Sequence, residues 1–157
     1  MVQTLAAIIA ATVSTVAVCV TGYFAWHQRE LTKAKLRLDL YDRRFKIFTS
    51  IFDFYEAMIA WRGTAEQVET RTHFFRAYQE AGFLFSKDSG IQDLLKLLND
   101  EGAKVIGFKE HHDSYKSDTA LYIQQFKETN DIQLRVFEQG LERLRVAMQQ
   151  YLDFSRI

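Results

Sequence analysis

The sequence predicts an all-α protein in which one N-terminal transmembrane helix continues into a cytoplasmic bundle of about four helices. Proline, which interrupts helices, is absent from the 157 residues. All 20 basic and 20 acidic side chains follow Gln28, so the first part of the chain carries no charged side chain. These observations divide the chain into a transmembrane helix over residues 1–26 and a helical bundle over residues 27–157.

Residues from Leu5 to Trp26 form the predicted membrane span. As a helix, these 22 residues extend about 33 Å, which is enough to cross a hydrocarbon core of roughly 30 Å. Basic residues such as Arg29 and Lys33 follow the span and none precedes it, so the N-terminus is expected outside and the bundle in the cytoplasm. A cleaved signal peptide is the competing interpretation, but no basic segment precedes Leu5.

One face of the predicted span is small and weakly polar. Small residues spaced four apart allow helix backbones to approach closely and hydroxyl groups to bond across the gap. We interpret this face as a surface for self-association or as the lining of a pore. The alternative is an alanine-rich lipid anchor in which the sorting is accidental. The face consists of Thr4, Ala7, Ala11, Ser14, Thr15, Val18 and Gly22.

After the span, the chain is predicted to continue as one long helix to about Trp61. Apolar residues recur there with the seven-residue period of a packed helix. A second apolar row begins at Ile47, so the distal half is expected in the middle of the bundle. The first stripe is Leu31, Leu38, Phe45, Phe52 and Ile59, with Ala34, Tyr41, Phe48 and Tyr55 beside it, and the second row is Ile47, Ile51, Phe54, Met58 and Trp61.

Charged residues on the near half of this helix also keep helical spacing. Lys35, Asp39 and Arg43 are four residues apart, and Asp42 stands four residues before Lys46. Exposed pairs of this kind contribute tenths of a kcal/mol each. We therefore interpret Lys35, Asp39, Asp42 and Arg43 as structural residues rather than catalytic ones.

Turn and cap residues divide the rest of the chain into further helices. Gly63 is expected to end the first helix, and Thr64 with Gln67 forms a capping box that opens the second. The second helix is expected to end near Ser86, and Asp88 or Ser89 caps a third helix.

The third and last helices are predicted to be separated by a polar loop. We expect that loop from His111 to Ser117 and a last helix from about Asp118, bent near Asn130. The closing residues are expected to pack against the first cytoplasmic helix. In that arrangement Tyr151 and Phe154 contribute rings, and Asp153 is offered to Arg43 or Arg44.

The sequence contains no recognisable enzyme motif, so we expect no enzymatic activity, catalytic residue, cofactor or metal ion. The densest polar cluster is Glu110, His111, His112 and Asp113. Adjacent histidines on a helix project about 100° apart and rarely share one metal without other ligands. We interpret this cluster as a solvated loop and leave metal binding and pH sensing open as alternatives. Cys19 stands alone in the apolar segment and cannot form a disulfide within the chain.

Nucleic-acid binding has no strong signal in this sequence. The formal net charge is zero, which excludes a protein that coats nucleic acid through its overall field. Helical ribonucleases of the HEPN type carry an arginine followed after four to six residues by a histidine, and no pair here has that spacing. Lys104 and His111 come nearest, with lysine in place of arginine.

Three stretches of the chain resemble a known group of proteins. They are Leu36 to Phe48 (LRLDLYDRRFKIF), Phe83 to Asp88 (FLFSKD) and Tyr151 to Ile157 (YLDFSRI). In this order behind an N-terminal span, they look like a widespread group of small, uncharacterised bacterial single-pass membrane proteins. The resemblance implies an inner (cytoplasmic) membrane location and carries over no catalytic residue.

The chain is also similar to the membrane accessory protein of RNA-targeting type VI CRISPR loci, a helical protein with a divergent HEPN-like fold that assembles into a ring-shaped pore. That similarity implies a homo-oligomer in the lipid bilayer that serves antiviral defence, with a defence-system protein as a further partner. A membrane-tethered interaction or adaptor module without enzymatic activity is the alternative. An RNA-cleaving effector of the HEPN-like type is the second alternative.

Overall fold

The computed structural model describes the backbone of residues 2–115 and 118–153, and the side chains of residues 18–115 and 118–153. Within these ranges the chain is helical and contains no strand, which confirms the all-α prediction. The helices are α1 (Val2–Ile59), α2 (Ala65–Leu84), α3 (Ile91–Tyr115), α4 (Thr119–Asp131) and α5 (Phe137–Leu152). A short 3-10 turn (Lys87–Ser89) precedes α3, and a π-helical segment (Ile132–Val136) joins α4 to α5 without a break.

The chain divides into two compact units within α1. The first unit ends at Asp39 and the second begins at Leu40. The second unit is a helical bundle with its own hydrophobic core, formed by the distal part of α1 together with α2, α3 and the α4 to α5 run. The predicted division between a membrane helix and a bundle at residue 26 stays a prediction.

The second apolar row of α1 lies in the core of the bundle, as predicted. Phe54 is fully buried, and its ring stacks on that of Phe74 from α2 at a centroid distance of 4.7 Å. It also lies near Phe137 of α5, at 6.2 Å. Burial of such side chains stabilises the fold by roughly 1.5–3 kcal/mol each. The row is Ile47, Ile51, Phe54, Met58 and Trp61, and every member is buried.

The turn between α1 and α2 has the predicted capping box. The Thr64 hydroxyl accepts a hydrogen bond from the Gln67 amide at 3.4 Å, and the Gln67 side chain accepts one from the Thr64 amide at 3.3 Å. Gly63 precedes this cap with φ +73°, a conformation that other residues rarely adopt. These features end α1 and fix the start of α2.

The predicted loop from His111 to Ser117 is wrong over the residues that the structure describes. Helix α3 continues through Tyr115, beyond all four residues of the polar cluster. Side chains support its last turns, since the Ser114 hydroxyl donates to the His111 carbonyl at 2.6 Å. The Phe108 ring also stacks on the Tyr115 ring, with centroids 5.9 Å apart. This contact stabilises the last turns of α3, although most of the residues there are polar. Residues 116 and 117 lie outside the described part.

The last helical run starts as predicted and is distorted close to the predicted bend. Asp118 caps α4, and its carboxylate accepts hydrogen bonds from the amides of Ala120 and Leu121 at 3.0 and 3.1 Å. The irregular segment begins at Ile132, two positions after Asn130. Within it, the Gln133 carbonyl accepts a hydrogen bond from the Tyr55 hydroxyl at 3.1 Å, so the distortion is held against α1.

Two glycines allow close packing at the centre of the bundle. A Cβ atom at Gly102 of α3 would lie 2.6 Å from the Phe54 ring, and one at Gly140 of α5 would lie 2.7 Å from the Leu98 side chain. These distances are too short for any other residue without movement of the neighbour. The two glycines therefore set how closely α3 approaches α1 and α5.

Candidate functional site

The described C-terminal end of the predicted membrane segment carries exposed apolar side chains. Val18, Tyr23 and Trp26 are each more than 60% exposed. Tyr23 stacks on His27 with ring centroids 6.2 Å apart. In the part of the chain that the structure describes, no helix holds an apolar stretch of the length needed to cross a bilayer. The predicted span falls mainly on residues 5–17, whose side chains lie outside the described part.

The predicted small-residue face is described at only two of its positions. Val18 and Gly22 are exposed, and a side chain placed at Gly22 would meet no atom within 4 Å. The backbone there leaves room for a second helix to approach. The side chains of Thr4, Ala7, Ala11, Ser14 and Thr15 lie outside the described residues, so the face as a whole stays a prediction.

The first apolar stripe of α1 is exposed in the second unit, although the sequence predicted a packing surface. Phe45, Phe52 and Ile59 are 43%, 39% and 46% exposed, in contrast to the buried row on the neighbouring face. We name this surface the α1 seam. Within the second unit it consists of Tyr41, Phe45, Phe48, Phe52, Tyr55 and Ile59.

The aromatic rings of the α1 seam form a continuous ladder. Successive ring centroids are separated by 6.0 Å between Tyr41 and Phe45, 6.3 Å between Phe45 and Phe48, and 5.1 Å between Phe48 and Phe52. Tyr55 continues the seam and stacks on Phe137 at 5.2 Å, which anchors it to the core. Such rings offer a large contact area at a low cost in side-chain entropy.

An apolar groove borders the α1 seam on the side of α5. Its cavity volume is about 620 Å³. Leu134 on its edge is 59% exposed, so the apolar surface extends from α1 to the π-helical segment. The lining residues are Phe52, Tyr55, Leu134, Glu138, Leu141, Glu142 and Arg145.

Arg44 joins three helices of the bundle. Its Nε and Nη2 atoms donate hydrogen bonds to the Leu84 carbonyl at 3.3 and 3.2 Å, at the C-terminal end of α2. Its guanidinium also lies 5.8 Å from the ring centroid of Phe85 and 5.0 Å from that of Tyr151. Arg44 thus has two aromatic faces and a carbonyl as partners, and the pairing of Asp153 with Arg43 or Arg44 stays a prediction.

The predicted structural residues have different surroundings. Lys35, Asp39 and Asp42 are exposed on α1. Arg43 reaches α2, with its Nη1 atom 3.7 Å from the Glu80 carboxylate, an exposed pair of the kind that contributes about 1 kcal/mol or less. Asp153 is half-buried. Phe154 lies outside the described residues.

The end of α1 is held by two polar contacts from α3. The Trp61 indole donates a hydrogen bond to the Glu110 carboxylate at 3.0 Å. Lys109 donates to the carbonyls of Met58, at 2.9 Å, and Ile59 in the last turn of α1, and the Met58 carbonyl also accepts from the Trp61 amide at 3.3 Å. Burial lowers the pKa of the Lys109 ammonium. Neither contact was predicted from the sequence, because a lysine and a glutamate in a polar segment are usually exposed to solvent.

The polar cluster on α3 is split between separate environments. Glu110 faces Trp61, whereas His111 is exposed. The Nδ1 atom of His112 lies 3.0 Å from the Lys109 carbonyl, and its Nε2 atom lies 3.4 Å from the Asp113 carboxylate. Among residues 18–115 and 118–153, no three His, Cys, Asp or Glu side chains are placed to hold one metal ion.

A polar groove lies between α1 and α2, and sequence analysis did not identify it. Its cavity volume is about 460 Å³, and three of its eight lining residues carry a carboxylate. His73 on its edge lies 3.6 Å from the Glu69 carboxylate of the preceding turn. The groove depends on how two helices meet, which no local pattern indicates. It is lined by Ser50, Asp53, Glu56, Ala57, Glu66, Gln67, Thr70 and His73.

The lysine considered for RNA cleavage is bound to a carboxylate. The Lys104 Nζ atom lies 2.8 Å from the Glu101 carboxylate, and this contact raises the pKa of the lysine. His111 is exposed on the last turns of the same helix.

Comparisons with protein-family models, with curated protein sequences and with solved structures found no match to this chain.

Proposed function

We propose that this chain is a membrane-anchored, self-associating helical protein whose assembled spans alter the permeability of a bacterial inner membrane. The observation that carries the proposal is the continuity of α1, which runs from Val2 to Ile59. One helix thus includes both the uncharged N-terminal segment and the core row of the bundle. A hydrophobic segment continuous with a folded cytoplasmic helix is a simple architecture for a single-pass anchor.

Self-association is supported by the α1 seam and by the composition of the predicted span. Phe45, Phe52 and Ile59 of the seam are exposed in the second unit, and small residues make up one face of the predicted span. Neither surface carries the charge that would keep copies apart in lipid. A role in antiviral defence follows from the similarity to the CRISPR-associated pore protein, and it is part of the same proposal.

A pore built from the small-residue face of the predicted span would be lined by hydroxyl groups and small side chains. Such a lining provides no ring of charge, so we expect permeation that does not select strongly by ion charge. No catalytic residue, cofactor or metal ion takes part in the proposed activity. The partners are the lipid bilayer and further copies of the chain.

Leakage of dye from liposomes tests the proposal. The full chain is expected to release a small trapped dye, and Ala11→Leu with Ser14→Leu should abolish release because the bulkier side chains separate the helices. Val13→Leu with Val16→Leu, on the opposite face of the span, is the matched control and should leak normally. Equal leakage from both double variants, or no leakage from the full chain, would contradict the permeability claim.

A tethered interaction module is the second candidate, and exposed rings on α2 favour it. Phe83 is 91% exposed and Phe75 is 48% exposed, away from the α1 seam. Exposed aromatic residues are common at protein interfaces. A chain that inserts into liposomes without leakage, and that loses a cytoplasmic protein partner on Phe83→Ala, would favour the module over the pore.

A further inference from the structure

Helix α1 has two apolar faces; the bundle buries one of them fully and covers the other only in part. The buried row and the α1 seam are separated by about a third of a turn on the helix surface. Ile51 and Phe54 of the buried row are 0% exposed, whereas Phe45 and Phe52 of the seam retain about two fifths of their exposure. The outer edge of the seam, formed by Phe45, Phe52 and Ile59, is therefore an exposed apolar surface, whereas Phe48 and Tyr55 pack against the core of the second unit.

The residues of the α1 seam recur with the regular heptad spacing of a coiled coil. Its residues alternate in steps of four and three from Tyr41 to Ile59, which are the a and d positions of a heptad. In the first unit, Leu31 and Leu38 hold a positions of the same frame and are 60% and 51% exposed. A repeat sustained over four heptads fits a second helix with the same repeat.

The charged residues beside the α1 seam are placed to form ion pairs with a parallel copy of the same helix. With Leu31 at a, Glu30 and Arg37 hold g positions, while Lys35 and Asp42 hold e positions. In a parallel, in-register pair, each g residue faces the e residue of the next heptad on the other helix. Glu30 then faces Lys35 and Arg37 faces Asp42, so both contacts join opposite charges.

We propose that the α1 seam binds the α1 seam of a second copy of this chain, parallel and in register. The parallel direction rests on the proposed function, because copies anchored by the same N-terminal segment enter the cytoplasm in the same direction. The apolar contact itself does not depend on the anchor. The aromatic ladder packs across the pair, and the e and g charges set its register.

Disulfide cross-linking of the full chain in detergent micelles tests this geometry. In a Cys19→Ala background, Ala34→Cys and Phe52→Cys are expected to give covalent dimers on oxidation, since equivalent a or d positions meet across a parallel seam. Lys46→Cys, exposed at a neighbouring b position, is the matched control and should cross-link about tenfold less, because disulfides require Cα atoms within about 7 Å. Equal cross-linking at all three positions would overturn the proposal.

The mass of the full-length particle supplies the second arm. Light scattering should give the wild-type protein mass at two copies or more, and Phe45→Glu with Phe52→Glu should reduce it at least twofold at unchanged helicity. Phe75→Glu with Phe83→Glu, two exposed rings of α2, should leave the mass unchanged. A single-copy wild type, or a multimer that fails to cross-link at Phe52→Cys, would overturn the parallel seam.

The two proposals fail separately in these measurements. If the chain cross-links at Phe52→Cys but does not associate with vesicles, the seam contact is supported and the membrane anchor is contradicted. If the chain inserts into vesicles but stays a single copy, the membrane anchor is supported and the seam contact is contradicted.

Discussion

The guanidinium of Arg44 lies 5.0 Å from the centroid of the Tyr151 ring, and this contact joins the first helix of the bundle to the last. The Tyr151 hydroxyl lies 3.0 Å from the Ser86 hydroxyl, and the ring packs edge-on against Phe85 at 5.1 Å. One arginine thus organises an aromatic junction where α1, the end of α2 and the end of α5 meet.

Removal of the Arg44 guanidinium should weaken this junction. Arg44→Ala loses two charge-assisted hydrogen bonds to the Leu84 carbonyl and two cation–π contacts, so we expect the free energy of unfolding to fall by about 2 kcal/mol. Urea unfolding followed by circular dichroism measures the change. The control is Arg43→Ala, whose exposed ion pair with Glu80 is of a kind that contributes less than about 1 kcal/mol. Equal losses in the two variants would refute the junction.

The end of the chain contributes through the same ring. A stop after Gln150 removes Tyr151 and Leu152, and we expect a loss of about 2–4 kcal/mol together with a lower Tm. A stop after Leu152 keeps the ring and should retain most of the stability. If both truncated proteins melt at the wild-type temperature, the closing residues do not stabilise the bundle.

Glycine at position 102 should be required by packing rather than by backbone conformation. Gly102→Ala places a Cβ atom 2.6 Å from the Phe54 ring, and we expect a loss of about 1–3 kcal/mol from the forced shift. Gly107 lies in the same helix with open space around it. Gly107→Ala should therefore stabilise the protein by about 0.5–1 kcal/mol, because alanine is the better helix former. Chemical denaturation of both variants tests the opposite signs.

Lys109 should give the bundle a pH-dependent contribution in the alkaline range. Burial lowers the pKa of this lysine in the folded state, so the unfolded chain binds more protons as the pH approaches the ordinary lysine pKa. The free energy of unfolding contributed by this group therefore rises with pH there. Lys109→Met should lose this rise, together with about 1–2 kcal/mol from the lost hydrogen bonds to the Met58 and Ile59 carbonyls.

The comparison of wild type with Lys109→Met isolates that effect. The difference in their unfolding free energies should grow as the pH rises toward the ordinary lysine value. Lys96→Met, at an exposed position of the same helix, should show no such growth. If the difference shrinks as the pH rises, the hydrogen bonds to the carbonyls, rather than burial, would determine the direction of the Lys109 pKa shift.

Local rules were sufficient to predict most helix boundaries and the buried row. The box formed by Thr64 and Gln67 and the cap at Asp118 depend on neighbouring residues alone. The loop predicted from His111 was wrong because the prediction relied on the polar composition of the segment. The stacking of Phe108 on Tyr115, seven residues later, supports the helix there and was not considered.

Contacts between helices were beyond the sequence pattern. Arg44 on Tyr151 and Lys109 on the end of α1 require knowledge of which helices meet, and neither has a local signature. The heptad from Leu31 to Ile59 was visible in the sequence, but periodicity cannot tell a core face from one that lies exposed. Its exposure in the second unit emerged only from the structure.

Flotation of the full chain with phospholipid vesicles, followed by an alkaline carbonate wash, tests the anchored architecture most directly. We expect the protein to float with the vesicles and to remain with them after the wash. Ala10→Lys with Val13→Lys should prevent this, because each charge at mid-span costs about 2.5–3.5 kcal/mol, whereas Gln124→Lys in the bundle should not. A full chain that stays dissolved below the vesicles in plain buffer would contradict the account.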